Sequence, residues 1–302
     1  MAILVVGSIA YDSVRTPFGE VTEVLGGSAS YFAVAASYFS PVRLVAAVGE
    51  DFKPEDHEVL RARGIDLQGL AREKGRTFRW SGEYGYNLNE ARTLATHLNV
   101  FEHFRPRLPE AYRDADYVFL ANIDPDLQHD ILSQVKKPRL VALDTMNYWI
   151  ENKPEALRRA LAGVNLLIIN DAEARQLTGE VTLVRAAARV FGWGPSTLVV
   201  KRGEYGVLMF TPHSRFAAPA YPLETIVDPT GAGDSFAGGF MGYLSGSGDL
   251  GDSAIRQAIV MGSVMASFNV EKFSLERLRT LSRSEIDDRY RAFKLLTHFE
   301  DL

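Results

Sequence analysis

The stretch VDPTGAGDSFAGGF, residues 227–240, sets four glycines and two aspartates between the end of an apolar strand and an apolar helix. Glycines at 231 and 233 let backbone N–H groups approach an anion closely, and the helix they open, DSFAGGFMGYL, adds the positive end of its dipole. A tight turn with close helix packing would use the same glycines, and Gly238 and Gly239 point to such packing. A dinucleotide fingerprint is the competing reading, and it fails on three counts. The spacing G-x-G-x-x-F lacks the third glycine, the loop comes late rather than after the first strand, and the carboxylate of Asp234 would repel a pyrophosphate resting there. Asp234 fits if the anion is a group in transfer. The glycine amides then hold the developing charge, and the aspartate accepts the proton of an attacking hydroxyl. Phosphoryl transfer has a loose transition state, so such a base mainly positions the nucleophile and collects its proton late.

The rest of the chain bounds this reading. It has 302 residues, 46% hydrophobic and 24% charged, an ordinary globular composition that allows two domains or one large α/β unit with an appendage. There is no cysteine, which excludes disulfides and thiolate metal sites and fits a reducing, cytoplasmic setting. The apolar runs fall short of the ~20 residues of a membrane helix, so no membrane partner is expected. The opening MAILVVGSIAYDS reads as a first strand rather than a signal peptide. Net charge is −5 and the basic residues are scattered, which argues against a nucleic-acid partner. The six histidines show no metal spacing, and His97 and His103 are expected to be surface or packing residues.

AILVVG (2–7) is a buried parallel strand by its continuous apolar run, Gly26 and Gly27 open a helix SASYFAVAASYF, VRLVAAVG is a strand, and EDHEVLRARG a helix closed by Gly64. From Asp116 the alternation is plain. YVFLAN, RLVALD, NLLIIN and TLVVKRG are strands, separated by the helices DLQHDILSQV, PEALRRALAG, DAEARQLTG and LVRAAARVFG. This βαβ rhythm predicts a parallel sheet with helices on both faces. Between Thr77 and Phe101, Phe78, Trp80, Gly82, Tyr84 and Tyr86 alternate with mostly polar residues. With ARTLATHLNVF and Arg15–Leu25 as further strands, the pattern predicts a small half-exposed sheet. Its aromatic face would cover a ligand, another subunit or its own domain.

DPTGAGDSFAGGF resembles the C-terminal signature of the ribokinase (PfkB-type) family of carbohydrate and nucleoside kinases, and the likeness extends over nearly the whole chain. The resemblance implies a ribokinase-like three-layer α/β/α fold with a mostly parallel central sheet. Residues 1–302 would form one kinase domain, with a small β-sheet lid of about residues 13–25 and 76–101. It implies Asp234 as the catalytic base and the Gly231, Ala232 and Gly233 backbone as the anion hole. NDAEA (170–174) follows a strand and opens a helix, and capping would account for Asn170 or Asp171. The family's N-x-x-E motif, matched by Asn170 and Glu173, implies action on Mg2+ and phosphate, with Glu173 orienting the ion through water. In VVKRGEYGVLMF, a plain hairpin would place Gly203 and Gly206 at positive φ. The family carries the nucleotide on this turn, often with threonine where Lys201 stands; a lysine there can reach phosphate oxygens or be solvated, and Lys201, Gly203 and Gly206 are read as nucleotide contacts. The family also implies that Asp12 and the Gly26–Gly27 backbone bind substrate hydroxyls. It continues G-G-x-x-x-N, and Tyr31 stands at the asparagine. That departure implies an acceptor other than plain ribose, stacked or bulkier. Asn122, Asp144 and Asn147 follow strands and are candidates for further polar contacts. Asp228 and Thr230 match positions near the family's monovalent site, a candidate for K+.

The expected activity is ATP- and Mg2+-dependent transfer of the γ-phosphoryl group to an alcohol of a sugar or polyol. A nucleoside kinase of the same fold is the alternative, and the other is a silent binder of sugar or nucleotide, which would gain nothing from keeping Asp234. The P-loop pattern GxxxxGK[ST] occurs nowhere, which disfavours a P-loop kinase. The lid would exclude water, and its edge is a candidate homodimer surface.

Overall fold

The computed structural model describes residues 1–298. Thirteen strands run β1 (Ile3–Val6), β2 (Ala10–Thr16), β3 (Gly19–Gly26), β4 (Val42–Gly49), β5 (Asp66–Glu73), β6 (Phe78–Tyr84), β7 (Ala91–His97), β8 (Tyr117–Leu120), β9 (Leu140–Asp144), β10 (Leu166–Asn170), β11 (Thr197–Lys201), β12 (Val207–Phe210) and β13 (Arg215–Ala218). The main sheet has the order β13-β12-β11-β10-β9-β8-β1-β4-β5. It is parallel from β11 through β5 and antiparallel at β11–β12 and β12–β13.

The apolar runs are continuous because the sheet is covered on both faces. In β1, Ile3 and Val5 face one hydrophobic cluster and Leu4 and Val6 the other. β8 and β10 divide in the same way, Phe119 and Ile168 to one side, Leu120 and Ile169 to the other. Helices Ser28–Ala36, Ala232–Ser247 and Asp252–Asn269 close the first face, and Pro125–Gln134, Pro154–Leu161 and Leu183–Phe191 close the second. Gly238 lies against the Phe32 carbonyl and Gly239 against Met261 and Met265, so the glycines of the Ala232–Ser247 helix serve backbone-close packing. The three-layer architecture is the one implied by the sequence. Among the described residues no helix is long and apolar enough to cross a membrane.

The small sheet has the order β3-β2-β6-β7, antiparallel at both ends and parallel at β2–β6. Several details differ from the sequence reading. Arg15–Leu25 is not one strand. It spans the turn at Pro17–Phe18 between β2 and β3, and β2 begins at Ala10. ARTLATHLNVF is extended only to His97; Asn99, at φ 52°, then enters a 3-10 turn through His103 that buries Val100 and Phe101. The aromatic alternation stops at Tyr84, since Tyr86 lies beyond the strand and is 95% exposed. β5 had no sequence signal because it is an edge strand whose residues are half-buried or exposed, without a period. His97 and His103 are exposed.

Candidate active site

The carboxyl ends of β8 to β11 and of β1 face the N-terminus of the Ala232–Ser247 helix, where open α/β sheets take ligands. Gly231 caps this helix at φ 75°, and its Cα rests on the face of the Tyr31 ring, so conformation and space both exclude a side chain. The Ala232 N–H donates to the Pro229 carbonyl at 3.1 Å. The amides of Gly231, Gly233 and Asp234 have no backbone acceptor among the described residues. The open donors are therefore Gly231, Gly233 and Asp234 rather than the Gly231–Ala232–Gly233 set. They sit at the positive end of a 16-residue helix.

Asp234 stands at the third position of that helix, half-buried in the cleft. Burial pushes its carboxyl up to about 8; the charge of Asp144 adds to the rise and Lys201 opposes it. Lys201, at the end of β11, places Nζ 3.0 Å from Asp144 Oδ2 at the end of β9. A Cβ on Gly233 would lie 2.9 Å from the same Nζ, so the ammonium lies against the glycine loop. Lys201 thus reaches the loop at residue 233, away from the turn that follows it.

Asn170 and Glu173 form a reciprocal capping box. Asn170 Oδ1 accepts from the Glu173 N–H at 2.7 Å, and Glu173 Oε2 accepts from the Asn170 N–H at 2.8 Å. The cap takes up only Oε2. Burial raises the Glu173 carboxyl to about 7, Lys201 working against it and Asp144 with it. A carboxylate with one oxygen uncommitted, beside other carboxylates, suits a hydrated divalent cation.

At the other end of the cleft Asp12 is 4% exposed and lies against Gly26. Burial raises Asp12 to about 7, with repulsion from Asp228 adding. Tyr31 is 1% exposed, so neither ring face is open to a stacking ligand, and the expected stacking surface is absent from this position. Among the described residues its buried hydroxyl has no partner, and Asn122 Oδ1 and Thr145 Oγ1 are likewise unpartnered. Burial, then the charges of Asp12 and Asp228, holds the Tyr31 phenol well above its ordinary range. Asn147 is exposed at a helix start and does not join this group.

Asp228 accepts from the Thr230 N–H at 2.9 Å and, through its other oxygen, from the Ser274 N–H at 3.4 Å. Asn269 Nδ2 donates to the Thr230 carbonyl at 2.7 Å. These residues hold the glycine loop, and among the described residues no group of three His, Cys, Asp or Glu is arranged to hold a metal. The small sheet closes over the cleft at two points. The Thr230 hydroxyl donates to Tyr84 Oη at 3.4 Å. At the β6–β7 tip, Asn89 packs on Gly203, which has φ 53°, and bonds Glu204 at 3.4 Å in both directions. Gly206 follows at φ 83°. The Asn89 contact and the Lys201–Asp144 pair join residues 115 and 57 positions apart, and no local pattern signals either.

The model of the pfkB family of carbohydrate kinases matches residues 2–278. A cytidine kinase from Thermococcus kodakarensis is 31% identical over 251 residues, 81% of this chain and 89% of its own. An ATP-dependent ribose-1-phosphate kinase from Halopiger xanaduensis is 27% identical over 80% of each chain. The crystal structure of a nucleoside kinase from Methanocaldococcus jannaschii superposes with a TM-score of 0.76 at 20% identity, covering 96% of this chain and 98% of its own, a likeness that speaks to the fold.

Proposed function

Since the chain belongs to the pfkB family of carbohydrate kinases, we propose that it transfers the γ-phosphoryl group of ATP to an alcohol of a neutral nucleoside. A free sugar or polyol is the second reading. The observation that carries the chemistry is Asp234 at the open amides of a helix N-terminus, with Lys201 beside it. The acceptor oxygen attacks the γ-phosphorus, the bond to the β,γ-bridging oxygen breaks, ADP leaves, and the acceptor proton passes to an Asp234 carboxylate oxygen. The amides of Gly231, Gly233 and Asp234 stabilise the charge on the moving group.

The acceptor end supports a neutral substrate. The main charges that act on Asp12 and Tyr31 are carboxylates and a phenol. An acceptor that already carries phosphate would meet repulsion there. Asp12 and Asn122 Oδ1 accept from acceptor hydroxyls, and the Tyr31 hydroxyl bonds another. The cytidine kinase likeness favours a nucleoside over a free sugar. Magnesium, when bound, would neutralise phosphate charge, with Glu173 placed to orient it through water. Gly203 and Gly206 shape the turn for the nucleotide, and Asn89 closes the lid on it. The chain, 1–302, acts as one kinase unit with β2, β3, β6 and β7 as the lid, residues 299–302 lying outside the described ones. Leu94 and Leu98, 48% and 38% exposed on and just after β7, support a homodimer through this sheet.

The deciding experiment measures ADP release with Mg2+ against nucleosides, free pentoses and hexoses, inositols and ribose 1-phosphate, with Asp234→Asn as control. Acceptor-dependent release with a nucleoside, lost in the variant, is expected. Release only with ribose 1-phosphate would overturn the neutral-acceptor assignment.

A further inference from the structure

Lys201 is the cation facing Asp144, Glu173 and Asp234: each of the three feels it, and no other cation figures among their main influences. Resting on the kinase reading above, we propose that Lys201 is a catalytic residue that binds the phosphoryl group in flight, and that Asp144 is the positioning residue that holds it there.

Four observations carry this. The Nζ–Oδ2 distance of 3.0 Å fixes the ammonium at the end of β9, and Lys201 and Asp144 side chains are only 19% and 6% exposed. Asp144 is itself pinned: Oδ1 accepts from the Thr145 N–H at 2.8 Å, and its carbonyl accepts from Gln128 Nε2 at 2.9 Å. The ammonium abuts Gly233, whose amide is among the open donors at the helix start, so the amide and the lysine address one small volume. Asp144 is the one acceptor of Nζ among the described residues, which leaves two of three ammonium N–H groups to give.

A purely structural pair would need no position against the glycine loop. An ammonium on a flexible stem can bind phosphate as a point charge while keeping its carboxylate partner. The cleft makes such a charge necessary. Asp144, Glu173 and Asp234 surround the site, and an incoming γ-phosphate would otherwise meet carboxylates there. Lys201 therefore addresses the transferred group and not the nucleotide base or ribose.

ADP lacks the γ-phosphate, so it separates the two roles. Lys201→Met and the double variant Lys201→Met/Asp144→Asn would be compared with the intact protein by calorimetry, using ADP and β,γ-imido-ATP. The double variant strands neither charge, so it keeps the comparison valid if the single variant does not fold. The expected result is ADP affinity within about twofold of wild type, about tenfold weaker binding of the ATP analogue, and a fall in kcat of about 100-fold or more. The KM for the acceptor stays within about twofold. Asp144→Asn, which can still accept from the ammonium, is expected to lower kcat about tenfold with a smaller change in the KM for ATP. Equal losses for ADP and the analogue would place Lys201 on the nucleotide turn and overturn the assignment. An unchanged kcat would reduce the pair to a structural one. Absence of turnover by wild type with every acceptor would sink the kinase reading instead, while the split between analogue and ADP still decides whether the lysine meets the γ-phosphate.

Discussion

Replacing Asp234 with asparagine is expected to remove activity and stabilise the nucleotide-free fold. The two effects come from one cause. Burial and the neighbouring Asp144 raise the Asp234 carboxyl from 3.8 to about 8. Between those values the folded chain keeps a proton that the unfolded chain has released. Wild-type stability therefore falls as pH rises from about 4 to about 8, and is level above that. Four pH units at about 1.36 kcal/mol each set a ceiling of about 5 kcal/mol on the cost of ionising Asp234. The residue keeps some contact with solvent in the cleft, which screens part of this and leaves on the order of 2 kcal/mol. Asparagine has nearly the same shape and no charge to bury, so it recovers that energy. In a chain of this size the gain is a rise in Tm of about 4 °C at pH 8, shrinking to about 1 °C at pH 5. Turnover should fall at least ~10²-fold, because the amide cannot accept the proton of the acceptor hydroxyl. Thermal melts without nucleotide at both pH values, run beside the ADP-release assay, test both halves. A variant with near-wild-type turnover would remove Asp234 from the mechanism. A variant that melts below wild type at pH 8 would show that the carboxylate is held by a favourable partner, and the assigned electrostatics would fail.

Gly233→Val should abolish turnover while the protein remains folded, because the new side chain enters the space of Lys201 Nζ and the open amides; retained turnover would show that this loop does not hold the transferred group. Glu173→Gln should raise the half-saturating magnesium concentration severalfold, since the neutral amide attracts the hydrated ion less, and an unchanged magnesium titration would count against that role. Asn89→Ala, which releases the lid tip from Gly203 and Glu204, should raise the KM for ATP about twofold to fivefold through loss of two weak hydrogen bonds, and equal values in both proteins would mean that the lid does not read the nucleotide turn. Potassium should activate the enzyme through the Asp228–Thr230 loop, so rates in sodium and potassium should differ; identical rates would leave Asp228 with the loop-holding role alone.

Much of the fold was legible because its signals are local. The apolar runs of β1 and β8 to β11 must be buried on both faces, and they read so without neighbours. Gly231 was legible as a glycine that lets backbone amides approach an anion, and Asn170 and Glu173 as a spacing that serves both a cap and a site. β5 escaped because an edge strand with mixed exposure carries no period, and the β2–β3 hairpin because its turn, Pro17–Phe18, lacks the glycine or asparagine that marks one. The order of residues along the chain specifies the chemical types in the cleft: a carboxylate within a glycine loop, an acidic motif after a strand, a lysine before a turn. Their partners come from the folded arrangement. It set Lys201 on Asp144 and against Gly233, spent the Tyr31 ring on Gly231 and tied Ala232 N–H to Pro229. Each of these is a choice of partner. Except for the short tie at Ala232, the partners lie on strands or helices far apart in the chain, and only the order of the sheet brings them together.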